Sequence, residues 1–321
     1  MPDNELIVAI KSGNLAEVKN LIQRGVDFDT LQFKIYDRWY TVLTWAAANG
    51  HIEIVKLLLE KGADVNHTNR DRNTALMEAA ANGRIEIVKL LIEKGAKVNK
   101  ANKYGNTALM LAILFGKIQI IELLLKRNDV DVNHAGRDGK TAFMLAILFS
   151  KIQIIELLLE KGANVNQADQ DAKTAFMLAI LFGTIQIIEL LLKRNDVDVN
   201  HADRNGETAL MRAIFFGKIQ IIELLLKRND VDVNHAGYYG DTALMVAVRY
   251  GNIEIVKLLL EKGADVNHAN KYGETALSLA IKKNNQPIVI ALKKAIAQFI
   301  TTIKKELDGI FNKSPLDLDA L

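Results

Sequence analysis

Histidines are the first residues to test for chemistry, because six of them recur with evident regularity. Five (His67, His134, His201, His235 and His268) occupy one slot, directly after a Val-Asn pair. Successive members lie a whole repeat or more apart, too far to share a metal through bonds of roughly 2 Å. The recurrence therefore belongs to the scaffold, and no metal site is expected. The carboxylates offer no pair for acid–base work: Glu122, Glu156, Glu189 and Glu223 fall on outward faces of helices with Lys nearby. No Ser-His-Asp order appears, and neither glycine-rich phosphate-binding motif is present. Catalytic residues and cofactors are thus expected to be none.

Composition narrows the partners. Lys and Arg number 41 against 38 acidic residues, mixed along the chain. Duplex nucleic acid, which requires a basic stripe, is a poor fit. With no cysteine there is neither disulfide nor thiolate chemistry. No apolar run approaches the roughly 20 residues needed to span a bilayer, and MPDNELIVAIKSG has none of the architecture of a secretory leader. The reading is a soluble, cytoplasmic chain, with export into a host cell by another kind of signal left open.

The elements that would position any functional residue are copies of one another. TALMLAILFGKIQIIELLL, Thr107 to Leu125, returns nearly intact from Thr141, Thr174 and Thr208, and more loosely from Thr41, Thr74, Thr242 and Thr275. The threonines stand 33 or 34 residues apart, a period that marks stacked supersecondary units. Each unit reads as a Thr N-cap, a short helix, a turn, a longer helix, a C-terminal Gly or Asn, and an extended finger. Asn128, Asn195 and Asn229 stand where other units carry the capping Gly, and are expected to take its left-handed conformation. Residues 1–40 read as an N-terminal capping repeat with an enlarged aromatic finger, 41–283 as the regular repeats, 284–312 as a C-terminal capping helix, and 313–321 as a flexible acidic tail. That last helix has an apolar stripe through Ile288, Leu292, Ala295, Ile296, Phe299, Ile303 and Leu307. It either caps the array or meets another protein.

TALMEAAANGRIEIVKLLIEKGAKVNKANKYGNT resembles an ankyrin repeat, and the likeness extends from residue 4 to about 283. The resemblance implies an all-α repeat solenoid with β-hairpin-like fingers. The family's T-P-L-H is altered throughout, with Met77, Met110, Met144, Met177, Met211 and Met245 in the histidine position. A polar bridge should thereby give way to apolar packing. Arg72 and Ala172 replace the finger glycine found at 105, 139, 206, 240 and 273, and should strain those tips.

In this family the fingers and the exposed face of the first helices line a concave surface where partners bind. Seven and eight residues after the Thr stand Leu114-Phe115, Leu148-Phe149, Leu181-Phe182, Phe215-Phe216 and Arg249-Tyr250, where earlier units carry Ala-Asn. Three explanations stay open: copying of a tolerated pair by duplication, packing between adjacent first helices, or partner binding. The third is primary, with Tyr104, Tyr238 and Tyr239 of the fingers as a rim. It implies a non-enzymatic interaction protein that takes an amphipathic helix or extended apolar segment, or self-associates; a host-directed effector is one such role. A second reading is an oligoadenylate-like nucleotide sensor stacking its ligand on Trp39, Tyr40 and Trp45. A third is a structural scaffold.

Overall fold

The computed structural model describes residues 2–182 and 184–311; the acidic tail expected over 313–321 lies outside them. By contact the chain divides into two compact units, Met1–Gln170 and Asp171–Leu321. The first opens with α1 (Pro2–Ser12) and α2 (Leu15–Gln23), then a hairpin of β1 (Gln32–Ile35) and β2 (Arg38–Thr41). Four helix pairs follow: α3 (Val42–Asn49) with α4 (Ile52–Glu60), α5 (Ala75–Ala81) with α6 (Ile85–Glu93), α7 (Ala108–Leu114) with α8 (Ile118–Leu125), and α9 (Ala142–Leu148) with α10 (Ile152–Glu160). The second unit holds α11 (Ala175–Phe182) with α12 (Ile185–Leu192), α13 (Ala209–Phe215) with α14 (Ile219–Leu225), α15 (Ala243–Tyr250) with α16 (Ile253–Glu261), and α17 (Ala276–Lys282) with the long α18 (Gln286–Phe311).

The first helices of the pairs from α3 to α15 begin at a buried threonine, and α17 at Thr275, which is half-buried. Thr107 and Thr141 accept hydrogen bonds from the amides of Met110 and Met144 at 3.4 and 3.3 Å, satisfying a donor of the first turn. Inside, the helix is apolar nearly all round, because it has neighbours on most sides. α3, α5, α7 and α9 stack in sequence in the first unit, as do α11, α13, α15 and α17 in the second. The methionines in the family's histidine position are at most 3% exposed, so they fill the stack as apolar packing. The second helices are amphipathic instead: Ile120, Ile121 and Leu124 are buried while Gln119 and Glu122 face solvent.

One expectation about the caps fails. Asn128, Asn195 and Asn229 do not adopt positive φ. The helices before them leave through right-handed residues, Lys126 (φ −68), Lys193 (φ −69) and Leu226 (φ −72). These units have one residue more than those ending in Lys-Gly, which lets the chain turn over a longer path. Ion pairs then bracket each asparagine, Arg127–Asp129 and Arg194–Asp196 at 2.7 Å and Arg228–Asp230 at 2.5 Å. Where the glycine remains, as at Gly162 (φ 80), the left-handed cap forms.

The two substituted finger tips behave as strained positions should, Arg72 at φ 60 and Ala172 at φ 57. A non-glycine residue held there costs about 1 kcal/mol or more. Arg72→Gly and Ala172→Gly are each expected to stabilise the chain by about 1 kcal/mol, seen as a raised midpoint in urea denaturation. A lowered midpoint would contradict the strain.

Glu78 in α5 is the other unusual residue, a carboxylate only 2% exposed. The Asn73 side-chain amide donates to it at 2.8 Å, and Arg38 at the start of β2 approaches both oxygens at 3.3 Å. Burial nonetheless dominates, holding its pKa above the ordinary 4.5 despite Arg38. Just above pH 4.5 the folded chain therefore keeps a proton that the unfolded chain has released, so stability falls as pH rises through the folded pKa. Glu78→Gln is expected to flatten that fall. Urea midpoints compared at pH 4.5 and 7 should converge for the variant and differ for the native chain.

Candidate functional site

Adjacent fingers are joined at their tips by one backbone hydrogen bond each. In the first unit the amides of Lys103, Arg137 and Gln170 donate to the carbonyls of Asp71, Tyr104 and Asp138 at 2.9–3.0 Å. In the second, Arg204, Tyr238 and Lys271 donate to Asp171, Asn205 and Tyr239 at 2.9–3.2 Å. At two of the turns the approach leaves no room for a side chain: a Cβ on Gly105 would stand 2.6 Å from the Arg137 nitrogen, and one on Gly139 2.6 Å from the Gln170 nitrogen. The recurring histidines run along the same seam. Nε2 of His134, His201, His235 and His268 lies 2.9–3.1 Å from the carbonyls of Gly105, Ala172, Gly206 and Gly240. A carbonyl only accepts, so Nε2 carries the proton and donates. Their fixed slot after Val-Asn was the visible signal of this role, a tie between successive fingers, though not of its bonding partner.

The first helices turn one edge toward the fingers. In the second unit Arg212 pairs with Asp203 and Glu207, and Arg249 with Asp241 at 3.0 Å and Glu274 at 3.3 Å. Arg249 belongs to the expected partner-binding positions of the first helices, and here it ties helix to finger. Beside that edge stand the paired apolar positions. In the first unit Phe115 is 57% exposed and Phe149 46%, while Leu114 and Leu148 are half-buried. In the second, Phe182, Phe215, Phe216 and Tyr250 are 48–61% exposed and Leu181 is half-buried. The leucines are thus partly consumed in packing, and phenylalanine carries most of the open apolar area. Phe215 meets Phe216 and Tyr250 edge-on, with ring centroids 4.9 and 5.1 Å apart. On the fingers Tyr104, Tyr238 and Tyr239 are all more than half exposed. Lys103 lies over Tyr104, and Tyr238 packs edge-on against Tyr239.

The aromatic first finger is differently engaged. Tyr40 is buried, and its ring stands edge-on to Trp45 at 4.9 Å, with Phe33 closing the cluster. Trp39 is half-buried, with the Arg70 guanidinium 3.5 Å over its ring. A stacking ligand would have to displace Arg70 to use that face, and would find Tyr40 covered. Elsewhere, a groove of 960 Å³ runs between α16 and α18, lined by Ile253, Leu260, Val266, Ile290 and Phe299. The apolar stripe of α18 is buried at Ile288 and Leu292 but open at Phe299, Ile303 and Leu307. Among the described residues no helix is long and apolar enough to cross a membrane, and no group of three His, Asp or Glu side chains could hold a metal.

Comparison with known proteins agrees with this architecture. The solved ankyrin repeat domain of Bcl-3 is similar over its full length and over 70% of this chain, with 25% identity and a TM-score of 0.62. Curated relatives match over short segments. A probable E3 ubiquitin-protein ligase of rice, XBOS33, is 39% identical over 72 residues, 22% of this chain and 14% of its own. The human DNA-binding protein RFXANK is 41% identical over 64 residues, 20% of this chain and 24% of its own. The human NAD-capped RNA hydrolase NUDT12 is 38% identical over 64 residues, 20% of this chain and 13% of its own. The chain therefore spans a quarter or less of the length of each of these three. A family model described as ankyrin repeats (3 copies) matches residues 6–102, 97–169, 164–237 and 228–302. With the capped helix pairs, the linked fingers and matches running almost end to end, this chain belongs to the ankyrin-repeat family.

Proposed function

We propose that this chain is a non-enzymatic interaction protein that holds a protein partner at the C-terminal ends of its first helices. The observation that carries the reading is the set of half-exposed phenylalanines, Phe115 and Phe149 in one unit and Phe182, Phe215 and Phe216 in the other. Rings left open to water at recurrent helix ends contribute little to folding, yet they are the side chains best suited to anchor an interface. The tyrosines at the finger tips supply the amphipathic rim that interfaces favour. An interaction role also fits the comparisons: an E3 ligase, a DNA-binding protein and an RNA hydrolase share with this chain a repeat segment rather than a chemistry. Scaffolding by self-association would use the same rings.

Affinity purification from the native cell, read by mass spectrometry, should recover a partner with the full chain and lose it with Phe115→Ser/Phe149→Ser or Phe182→Ser/Phe216→Ser. Circular dichroism should show both variants folded, since each ring is about half exposed. Equal recovery of the same partner by all three proteins would remove the reading.

A further inference from the structure

We propose that the partner taken by the first unit is an acidic amphipathic helix, laid across the ends of α7 and α9; this rests on the interaction reading above and adds the chemistry of the occupant. The charge distribution is the first ground. From Thr107 through Gln119, and again from Thr141 through Gln153, the chain contains no Asp or Glu, whereas each stretch carries a lysine two residues after its phenylalanine, Lys117 and Lys151. Neither lysine forms an ion pair among the described residues. Lys117 is held across the turn of the preceding unit, its Cδ 3.3 Å from where a Cβ on Gly83 would stand, and Lys151 is exposed. At the finger tips Lys103 is matched by Asp71 and Lys140 by Asp138, but Arg137 is exposed and also lacks a carboxylate. Two open rings are therefore accompanied by three unneutralised cations, Lys117, Lys151 and Arg137.

Spacing is the second ground. Packed helices lie roughly 8–10 Å apart, and Phe115 and Phe149 cap the C-terminal ends of two such neighbours, α7 and α9. Two residues seven apart on one face of an α-helix lie about 10.5 Å apart. A helix crossing both ends can thus seat an apolar side chain on each ring while its flanking carboxylates meet the lysines. A helix also satisfies its own backbone, and this face offers no strand edge for an extended peptide to pair with. Opposite charge adds on-rate and discrimination to what the rings supply.

The test uses the full chain and a fluorescein-labelled 18-residue helical peptide with leucines seven residues apart and glutamates flanking them, beside a twin in which every glutamate is lysine. Anisotropy titrations should show the acidic peptide binding at least tenfold tighter than the basic one, and weakening in 0.5 M salt. Lys117→Glu/Lys151→Glu should reverse the preference, whereas Phe115→Ser/Phe149→Ser should abolish binding of both. Equal or tighter binding of the basic peptide, still dependent on the phenylalanines, overturns the acidic partner and leaves the interaction reading standing. Failure of both peptides to bind the native chain overturns the acidic helix, while the purification experiment judges the interaction reading separately.

Discussion

Everything in each unit depends on how closely one finger can approach the next. A tip amide reaches the carbonyl of the tip before it within about 3 Å, close enough that a Cβ on Gly105 or Gly139 would collide with the next tip. Once the tips are fixed, the threonine that follows is placed to cap its helix, and the helix to stack on its predecessor. Histidine and asparagine side chains follow the same path: the Asn133 carbonyl oxygen accepts from the Asn164 amide at 2.7 Å while its nitrogen donates to the Gly162 carbonyl at 3.2 Å. No helix pair of this size buries its apolar face alone. Neighbouring pairs supply the missing surface, and the finger ladder holds them in register.

Against that ladder the exceptions stand out. Arg72 and Ala172 are forced into the conformation of the glycines they replace, and Ser150 (φ 51) does the same at a turn between helices where Gly116 and Gly217 serve elsewhere. The unit tolerates them because its many other bonds overdetermine the turn. Glu78 is a different kind of exception. It occupies a first-helix position where Leu111 and Leu145 stand in later units, and it ties α5 to the one finger built as a true hairpin. The irregular first finger is thus secured to its helix by an ion pair at a cost in burial, as Arg212 and Arg249 secure fingers of the second unit to theirs.

Much of this was legible in the chain. Thr spacing, the amphipathic pattern of Ile120, Ile121 and Leu124, and the glycines at 105 and 139 each state a local requirement that only one geometry meets. What escaped detection depended on contacts distant in sequence. Nothing around His134 names Gly105, 29 residues earlier, as its partner. The asparagine caps failed because local propensity is weaker than the extra residue and the Arg–Asp pairs that follow it. Exposure was likewise undecidable from Leu-Phe alone: both residues are large and apolar, yet the helix end half-buries Leu114 and leaves Phe115 open.

The finger seam has a consequence for how such a chain changes over generations. Each inner tip is at once a donor to the tip before it and an acceptor for the tip after it, so its two edges are complementary plugs. A copy gained or lost between two near-identical neighbours presents the same plugs at the new junction and needs no compensating substitution. Array length can therefore vary by whole units without disturbing the seam, and each added Leu-Phe copy extends the row of half-exposed rings.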